Sequence, residues 1–514
     1  MQHLSLIPAQ ISATRGADIA VKMNGEGISF SELDRQSINI AGSLQNAGLS
    51  ANERVCFLDK NSLQFFGIFF GTLRAGGVMV GVNYRLAAPE IEYVISDSQA
   101  RFVFVGESCY DLLEKAQTNL TDELVIIDID GKHPEWISLD AWTNTQGNAD
   151  QLPSPREDAD VLQLYTSGTT GKPKGAVIKN KAWFAFAESA IGSWAKSGPE
   201  DRQLICMPLC HIAGINSALL GFYQGSSNIL TREVIPSEII ALFGSERITY
   251  TLLAPVIIQA LLAEAKKTSG DYSSMRQLSY GASPIAPTVL DEARSVFDCE
   301  FIHLYGLTEC LGGATFLAGE DHDESKGKLS SCGKAYPGSA IRIIKDNETC
   351  AANEVGEIQL KSPWSMSSYW QRPQATAETF DDGWLRSGDA GYLDEDGYLF
   401  IHDRIKDMIV TGSENVYPAE VENALYSHSD IVEAAVIGVP DEKWGEAVKA
   451  VVVCGPDNQP SEAELIEFCR QHLAGFKTPK SVDFIDALPR NASGKVLKRE
   501  LRQPYWKGIE RQVN

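Results

Sequence analysis

The segment Leu164–Val177, LYTSGTTGKPKGAV, combines the residue types that bind phosphate groups. Its glycines, Gly168 and Gly171, let the backbone approach an anion closely, and the hydroxyl and N–H groups around them donate to phosphate oxygens. Lys172 and Lys174 add positive charge. Because an apolar run precedes the segment, it predicts a phosphate-binding loop after a strand. The alternative is a Gly/Ser/Thr-rich turn without a ligand.

This loop departs from the P-loop pattern of nucleoside triphosphatases. Thr166 stands where that pattern needs its first glycine, and Pro173 replaces the hydroxyl residue that should follow Gly-Lys. A P-loop NTPase is therefore a poor interpretation.

His211 follows Cys206 and Cys210, which raises the question of a metal site. The spacing supplies three of the four ligands of a structural zinc, with no fourth nearby and no familiar zinc pattern. From the residues alone, a buried core histidine is the preferred interpretation.

The charge and hydropathy of the chain limit its partners. Among 514 residues, 68 acidic and 45 basic side chains give a formal net charge of −23. Such a protein repels nucleic acid and anionic membranes, so we expect neither as a partner. The longest apolar run, Tyr250–Ala263, is too short to cross a bilayer, and we expect no transmembrane segment. With no signal peptide and ten scattered cysteines, we expect a cytoplasmic protein with reduced thiols.

Short apolar runs alternate with helical periodicity over the first four-fifths of the chain. Residues 101–105 and 123–128 are predicted as buried strands of a mostly parallel sheet, and residues 61–75 as a helix ended by Gly76. This alternation predicts an α/β fold in which helices pack over layered sheets.

A domain boundary is predicted after the hairpin at Gly391–Ile401, within the charged segment Asp403–Asp407. This divides the chain into a large domain, 1–403, and a small α+β domain, 404–514, with a hinge near 404–407. The small domain carries 14 basic and 17 acidic residues, so most of the acidic excess belongs to the large one. A helix capped by Ser461 and Glu464 is predicted within it.

TSGTTGKPKG resembles the phosphate-loop signature of the adenylate-forming enzymes, which include acyl-CoA ligases, luciferases and the adenylation domains of peptide synthetases. Further segments similar to the family's motifs follow in the expected order: MPLCH (Met207–His211), SYGASP (Ser279–Pro284), YGLTE (Tyr305–Glu309), SGD (Ser387–Asp389), DRIKDMIVTGSENVYPAEVE (Asp403–Glu422) and PRNASGK (Pro489–Lys495). The resemblance therefore covers nearly the whole chain. It implies a large ATP-binding domain and a small mobile one.

The resemblance implies that a carboxylate attacks the α-phosphate of ATP and expels pyrophosphate. Since both reactants are anions, such a site needs charge neutralisation and alignment more than proton transfer. Residues assigned to ATP are Thr166, Ser167, Gly168, Thr169, Thr170, Lys174, Gly281, Ala282, Tyr305, Asp389 and Arg404. The catalytic residues would be Lys495, His211, Thr308 and Glu309.

Several of these assignments have a structural alternative. Glu309 is a suitable Mg²⁺ ligand, but Thr308-Glu309 also suits the start of a helix. Asp389 suits the two ribose hydroxyls, but an Asp after a glycine is also common in turns. Lys495 taken alone is a solvated surface lysine; the resemblance makes it the residue that bridges the carboxylate and the α-phosphate.

The resemblance also implies a second half-reaction, in which the small domain rotates and a thiol attacks the adenylate. Lys406 occupies the hinge position, and Gly412 matches a glycine that lines the pantetheine tunnel, although a plain turn glycine is an equal alternative. Residues similar to those near CoA are Gly412, Arg85, Trp444, Phe476 and Lys477.

The acyl pocket is expected beside Ile212–Leu220, with the lining residues His211, Ala213, Gly214, Ser217 and Gly306. No acidic residue lies in that segment, so an amino acid, whose ammonium group needs a counter-ion, is disfavoured. The Leu-Cys pair before His211 replaces an aromatic residue that many family members have there, which alters the pocket.

The sequence thus predicts an ATP- and Mg²⁺-dependent carboxylic acid–CoA ligase that releases AMP and pyrophosphate, with a medium- or long-chain fatty acid as substrate. An aryl or cyclic carboxylate is the alternative substrate. The alternative functions are an adenylate-forming enzyme that passes its product to a carrier protein or to oxygen, and a nucleotide-binding protein without catalysis.

Overall fold

The computed structural model describes residues 2–117, 120, 123–143, 152–166, 172–283, 285, 287–404, 407–411, 414–441, 443–455, 460–490 and 496–507. Its strands are β1 (Ile19–Met23), β2 (Glu26–Ser29), β3 (Arg54–Leu58), β4 (Val78–Gly81), β5 (Phe102–Val105), β6 (Val125–Asp128), β7 (Ile137–Ser138), β8 (Asp160–Thr166), β9 (Lys174–Lys179), β10 (Arg202–Ile205), β11 (Ser227–Leu230), β12 (Tyr250–Leu253), β13 (Gln277–Gly281), β14 (Glu300–Tyr305), β15 (Thr315–Leu317), β16 (Lys334–Ala335), β17 (Ala340–Lys345), β18 (Glu348–Thr349), β19 (Gly356–Lys361), β20 (Ser368–Tyr369), β21 (Phe380–Asp381), β22 (Trp384–Leu393), β23 (Leu399–Arg404), β24 (Ile409–Thr411), β25 (Glu414–Val416), β26 (Ile431–Asp441), β27 (Gly445–Cys454) and β28 (Ser481–Phe484). Its α-helices are α1 (Ile7–Arg15), α2 (Phe30–Asn46), α3 (Gln64–Arg74), α4 (Ala88–Ser98), α5 (Tyr110–Gln117), α6 (Leu139–Trp142), α7 (Asn180–Ser193), α8 (Ile212–Gln224), α9 (Pro236–Ser245), α10 (Pro255–Ala265), α11 (Pro287–Phe297), α12 (Pro373–Thr379), α13 (Pro418–Tyr426), α14 (Glu462–His472) and α15 (Lys498–Arg502).

The first sheet has the strand order β20-β9-β8-β4-β3-β5-β6-β7. Its strands pair in parallel from β8 to β7, whereas β8 and β9 form an antiparallel pair around the predicted phosphate loop. The predicted strands at 101–105 and 123–128 are confirmed as β5 and β6, and the predicted helix at 61–75 as α3. Four phenylalanines of α3 are fully buried, because the helix is covered on all sides.

The central sheet has the order β16-β15-β14-β13-β12-β10-β11-β1-β2. Strands β11, β10, β12, β13 and β14 are parallel neighbours, so their carboxyl ends share one edge. Helices α9, α10 and α11 cover one face of this sheet with an apolar cluster, and the main core of the protein lies on its other side.

The third sheet is antiparallel, with the order β18-β17-β19-β22-β21 and β23 paired to β22. The C-terminal sheet consists of β25-β24-β27-β26, with β28 beside β27. The predicted boundary between residues 403 and 404 lies at the end of β23, the last strand of the third sheet, and ahead of β24, the first strand of the C-terminal sheet. It stays a prediction. Ser461 caps α14 through the predicted pairing with Glu464.

The predicted α/β architecture, with a large N-terminal and a small C-terminal domain, is confirmed. Separate apolar clusters hold the C-terminal sheet together, on both of its faces. Within the described residues, no helix has the length and apolar character needed to cross a membrane.

Candidate active site

Elements of three sheets bring the predicted ATP-binding residues to one place. Thr166 ends β8 of the first sheet, Tyr305 ends β14 of the central sheet, and Asp389 lies in β22 of the third. Two hydrogen bonds connect these sheets, from Thr166 to Glu309 and from Tyr305 to Asp389. Residues distant in sequence therefore form one polar cluster at the edge where the parallel strands of the central sheet end.

Glu309 accepts two of the hydrogen bonds in this cluster. It lies in a short 3₁₀ turn, Thr308–Cys310, directly after β14. The Thr166 hydroxyl donates to Glu309 Oε1 over 3.1 Å, and the Tyr369 hydroxyl donates to the same oxygen over 2.7 Å. Burial and the neighbouring Glu309 raise the pKa of Tyr369, so its hydroxyl remains a donor. Both donors hold one carboxylate oxygen, and within the described residues the other has no hydrogen-bond partner.

A second carboxylate, Asp389, lies on the same side. The Tyr305 hydroxyl donates to Asp389 Oδ2 over 2.6 Å. Burial, together with the negative charge of Asp389, raises the pKa of Tyr305 well above its ordinary value. Asp389 pairs across β22 and β23 with Arg404, whose backbone is described and whose side chain lies outside the description. The carboxylate is buried, and the hydrogen bond from Tyr305 holds it in place.

The loop after β13 approaches the same edge with strained backbone. Gly281 pairs with Leu304 of β14, and a Cβ on Gly281 would lie 2.3 Å from the Leu304 carbonyl oxygen, so only glycine fits. Ala282 adopts φ = +71°, a left-handed conformation that costs an alanine free energy. Such strain is typical of functional loops. The contact of Gly281 and Ala282 with ATP stays a prediction.

The phosphate loop itself is described only at its ends. Thr166 and Lys174 are register partners of β8 and β9, and Ser167, Gly168, Thr169 and Thr170 between them lie outside the described residues. The Lys174 ammonium lies 5.1 Å from the centre of the Tyr369 ring. One aromatic side chain thus contacts both the predicted phosphate-binding lysine and the predicted Mg²⁺ ligand.

His211 lies at the N-terminus of α8, with no hydrogen-bond partner for its buried Nε2 atom within the described part of the chain. Burial, and secondarily the positive charge of Arg85, lowers the pKa of His211 to about 4. The ring is therefore neutral at physiological pH, and its unsatisfied nitrogen suits a polar ligand in the adjacent space.

The lowered pKa of His211 predicts a pH-dependent stability. Between its unfolded value near 6.5 and its folded value of about 4, the unfolded chain binds the proton more readily, so stability falls as pH decreases through this range. We expect the lowered pKa of His211 to reduce the free energy of unfolding by about 2 kcal/mol at pH 5 relative to pH 8. In urea denaturation, His211→Gln should reduce the difference in unfolding free energy between these pH values; equal differences in both proteins would contradict the assignment.

The other predicted acyl-pocket residues lie on α8 and at the end of β14. Gly214 is required by packing, since a Cβ there would lie 2.3 Å from the Pro208 carbonyl oxygen. Ser217 is buried and Ala213 half-buried. A Cβ on Gly306 would meet the Gly312 backbone at 2.2 Å, so the turn that carries Glu309 folds back tightly on itself.

The described residues that are predicted to bind CoA lie on both domains. Arg85, in the large domain, is exposed. Trp444 and Phe476 are exposed on the small domain, with relative accessibilities of 44% and 37%. Lys477 forms an ion pair with Glu420, which also bonds His402 Nδ1 at 3.1 Å across the predicted domain boundary.

Three predicted residues of the small domain and the hinge, Lys406, Gly412 and Lys495, lie outside the described residues.

Tyr369 was missed by sequence analysis. It lies in the two-residue strand β20, where it pairs with Ala176 of β9 and thereby reaches both the phosphate loop and Glu309. No local pattern indicates this role, because it arises from the pairing of strands nearly two hundred residues apart. The only signal is an aromatic pair, Tyr369-Trp370, in an otherwise polar segment.

Comparison with known proteins identifies the family. Residues 9–370 match the AMP-binding enzyme family, and residues 420–495 match the AMP-binding enzyme C-terminal domain. The fatty acid–[acyl-carrier-protein] ligase ScoC of Streptomyces coeruleorubidus is 39% identical over 96% of this chain and 95% of its own. The long-chain-fatty-acid–CoA ligase FadD13 of Mycobacterium tuberculosis is 33% identical over 93% of each chain.

Solved structures agree with these matches. The o-succinylbenzoate CoA synthetase MenE from Bacillus subtilis, in complex with the acyl-adenylate intermediate OSB-AMP, superimposes with a TM-score of 0.86 at 29% identity and 98% coverage of both chains. The predicted resemblance is confirmed. This chain belongs to the AMP-binding enzyme family and is an acid–thiol ligase.

Proposed function

We propose that this enzyme joins a carboxylic acid to CoA in two steps. An oxygen of the acid attacks the α-phosphorus of ATP, so that an acyl–O–P bond forms and pyrophosphate leaves. The CoA sulfur then attacks the acyl carbon, a thioester forms, and AMP leaves with the acid's oxygen. The observation that carries this proposal is the convergence of Thr166 and Tyr369 on Glu309, beside the Tyr305–Asp389 pair.

Each residue of the cluster has a task that follows from its chemistry. Asp389, held by Tyr305, accepts hydrogen bonds from the ribose hydroxyls, and the phosphate loop with Lys174 binds the phosphates. Thr308 donates to the α-phosphate. Lys495, from the small domain, places a positive charge between the two anionic reactants, which otherwise repel each other.

The site fits a magnesium ion. Both hydroxyl donors bond Oε1 of Glu309, which leaves its second carboxylate oxygen for a hard cation that also prefers phosphate oxygens. When bound, Mg²⁺ neutralises phosphate charge and so favours departure of pyrophosphate.

We propose a fatty acid, in preference to an aryl or cyclic carboxylate, as the general class of substrate. ScoC and FadD13 are named for fatty acids, whereas MenE is named for o-succinylbenzoate.

A carrier protein is the second candidate for the thiol acceptor. The relative ScoC, at 39% identity, is named as an acyl-carrier-protein ligase. The phosphopantetheine thiol of the carrier protein would take the place of CoA in the second step, and the same bonds would form and break.

Release of AMP and pyrophosphate over a panel of carboxylic acids, alone, with CoA and with a holo-carrier protein, tests both candidates. Release that depends on the acid and on CoA supports the ligase. Turnover that requires the carrier protein and ignores CoA selects the second candidate, and no acid-dependent release with any acceptor contradicts both.

Asp389→Asn tests the ribose contact. Loss of a charged acceptor for the ribose hydroxyls should raise the KM for ATP about 10- to 100-fold. The wild-type enzyme should prefer ATP over 2′,3′-dideoxy-ATP, and this preference should nearly disappear in the variant. Tyr305→Phe keeps the Asp389 carboxylate, so this variant should retain most of the preference for ATP over 2′,3′-dideoxy-ATP. An unchanged preference in Asp389→Asn would place the ribose elsewhere.

A further inference from the structure

A small cavity lies between helix α8 and the central sheet, next to the predicted acyl pocket. Ser217, Leu220 and Gln224 line it from one face of α8, at the spacing of successive helical turns. Strands β10, β12 and β13 form its floor, and residues at the end of α7 close its far side. Its volume is about 30 Å³.

The strand register connects this cavity with the nucleotide edge. Gln203 of β10 pairs with Tyr250 of β12, which pairs with Gln277 of β13. Gln277, Ser279 and Gly281 alternate along β13, so they share one face of the sheet. The same face thus leads from Gly281, in the predicted ATP loop, down to the cavity about 6 to 13 Å away.

The floor of the cavity is polar, although it lies inside the large domain. Gln277, only 4% exposed, donates to the Ser279 hydroxyl over 2.9 Å. The Gln203 amide lies directly under α8, where a Cβ on Gly221 would be 2.7 Å from Gln203 Oε1. Within the described part of the chain, neither the Gln203 amide nor the Ser217 hydroxyl has a hydrogen-bond partner. These groups are consequently available to a ligand.

The wall of the cavity also carries apolar groups, from Leu220, Leu252, Trp194 and Ala195, so its lining is mixed. Its volume, rather than the polarity of its floor, excludes a long alkyl chain. A volume of about 30 Å³ accommodates roughly two water molecules by the measure in which one needs about 10–15 Å³. Methylene groups placed there would displace water from amide and hydroxyl groups without replacing its hydrogen bonds, which costs free energy. A hydroxyl or carbonyl group would replace them.

We infer that the acid activated by this enzyme is compact and carries a hydrogen-bonding group, a hydroxyl or carbonyl, that binds Gln203, Gln277 and Ser217. The inference rests on the proposed function and narrows its substrate. It departs from the sequence-based expectation of a medium- or long-chain fatty acid, which did not take the polar side chains of the strands beneath Ser217 into account.

Kinetics with paired substrates test this inference. Straight-chain acids of four to ten carbons with a terminal hydroxyl are each compared with the alkanoate in which a methyl group replaces that hydroxyl, and with hexadecanoate. At the best length, we expect kcat/KM to be at least tenfold higher for the hydroxy acid than for its partner, and higher than for hexadecanoate. A smaller preference at every length, or faster turnover of hexadecanoate, would overturn the inference while leaving the ligase function intact.

Gln203→Leu should reduce the hydroxyl preference to less than threefold, mainly through KM for the hydroxy acid. Gln374→Leu makes the same change at an exposed position of α12 and should preserve the preference. If Gln203→Leu does not fold, Ser217→Ala provides the same test. A full hydroxyl preference in the folded cavity variant would overturn the inference, and absence of acid-dependent pyrophosphate release from every acid in the wild type would overturn the proposed function as well.

Discussion

Glu309→Gln is expected to lower the rate of adenylate formation about 10²-fold or more. Glutamine is nearly isosteric with glutamate and can still accept the hydrogen bonds from Thr166 and Tyr369, so the fold around the site should persist. The variant lacks the negative charge that would hold Mg²⁺. Acid-dependent exchange of labelled pyrophosphate into ATP measures this step without the thiol.

Tyr369→Phe tests whether the position of the Glu309 carboxylate matters separately from its ability to bind Mg²⁺. Loss of its hydroxyl leaves Glu309 charged but held by Thr166 alone, and we expect about a tenfold loss of exchange that high Mg²⁺ concentration largely restores. Magnesium should restore little in Glu309→Gln. If Glu309→Gln retained wild-type exchange, Glu309 would be only a structural residue of the turn.

Lys495→Ala is expected to abolish adenylate formation, with a loss of about 10³-fold, while it spares the thioester step. The family resemblance implies that Lys495 serves only the first half-reaction, in which it lies between the carboxylate and the α-phosphate. The lysine is not needed once the adenylate has formed. Purified acyl-adenylate supplied with CoA should therefore be converted to thioester at nearly the wild-type rate.

Gly412→Leu is the matched variant for the other half-reaction. A side chain in the predicted pantetheine tunnel should block the thiol, so pyrophosphate exchange should continue while thioester formation stops. If both variants lost the same half-reaction, the proposal that one small domain serves two steps in turn would be wrong.

The sequence predicted the architecture because its signals are local. Apolar runs and their polar boundaries indicated β5, β6 and α3, and the capping pair at Ser461 and Glu464 indicated α14. The motifs also predicted which side chains gather at the candidate site, since Thr166, Glu309, Tyr305 and Asp389 belong to short signatures that do not depend on tertiary contacts.

Features that arise from strand pairing were not predictable in this way. Tyr369 contacts Glu309 only because β20 joins β9 at the edge of the first sheet. The polar floor under α8 depends on the register of three parallel strands, which places Gln203, Tyr250 and Gln277 side by side. In the sequence these residues lie in short runs with no shared motif, so neither the positioning of Glu309 nor the polarity of the cavity could be anticipated.

Transfer of an oxygen atom from the acid to AMP tests the central claim most directly. With a carboxylic acid labelled with ¹⁸O at both oxygens, attack on the α-phosphate followed by thiolysis places one ¹⁸O in AMP and leaves the other in the thioester. Mass spectrometry of the nucleotide product should therefore show AMP heavier by one ¹⁸O, in equal amount to the thioester. Unlabelled AMP, or label in inorganic phosphate or pyrophosphate, would contradict an acyl-adenylate intermediate.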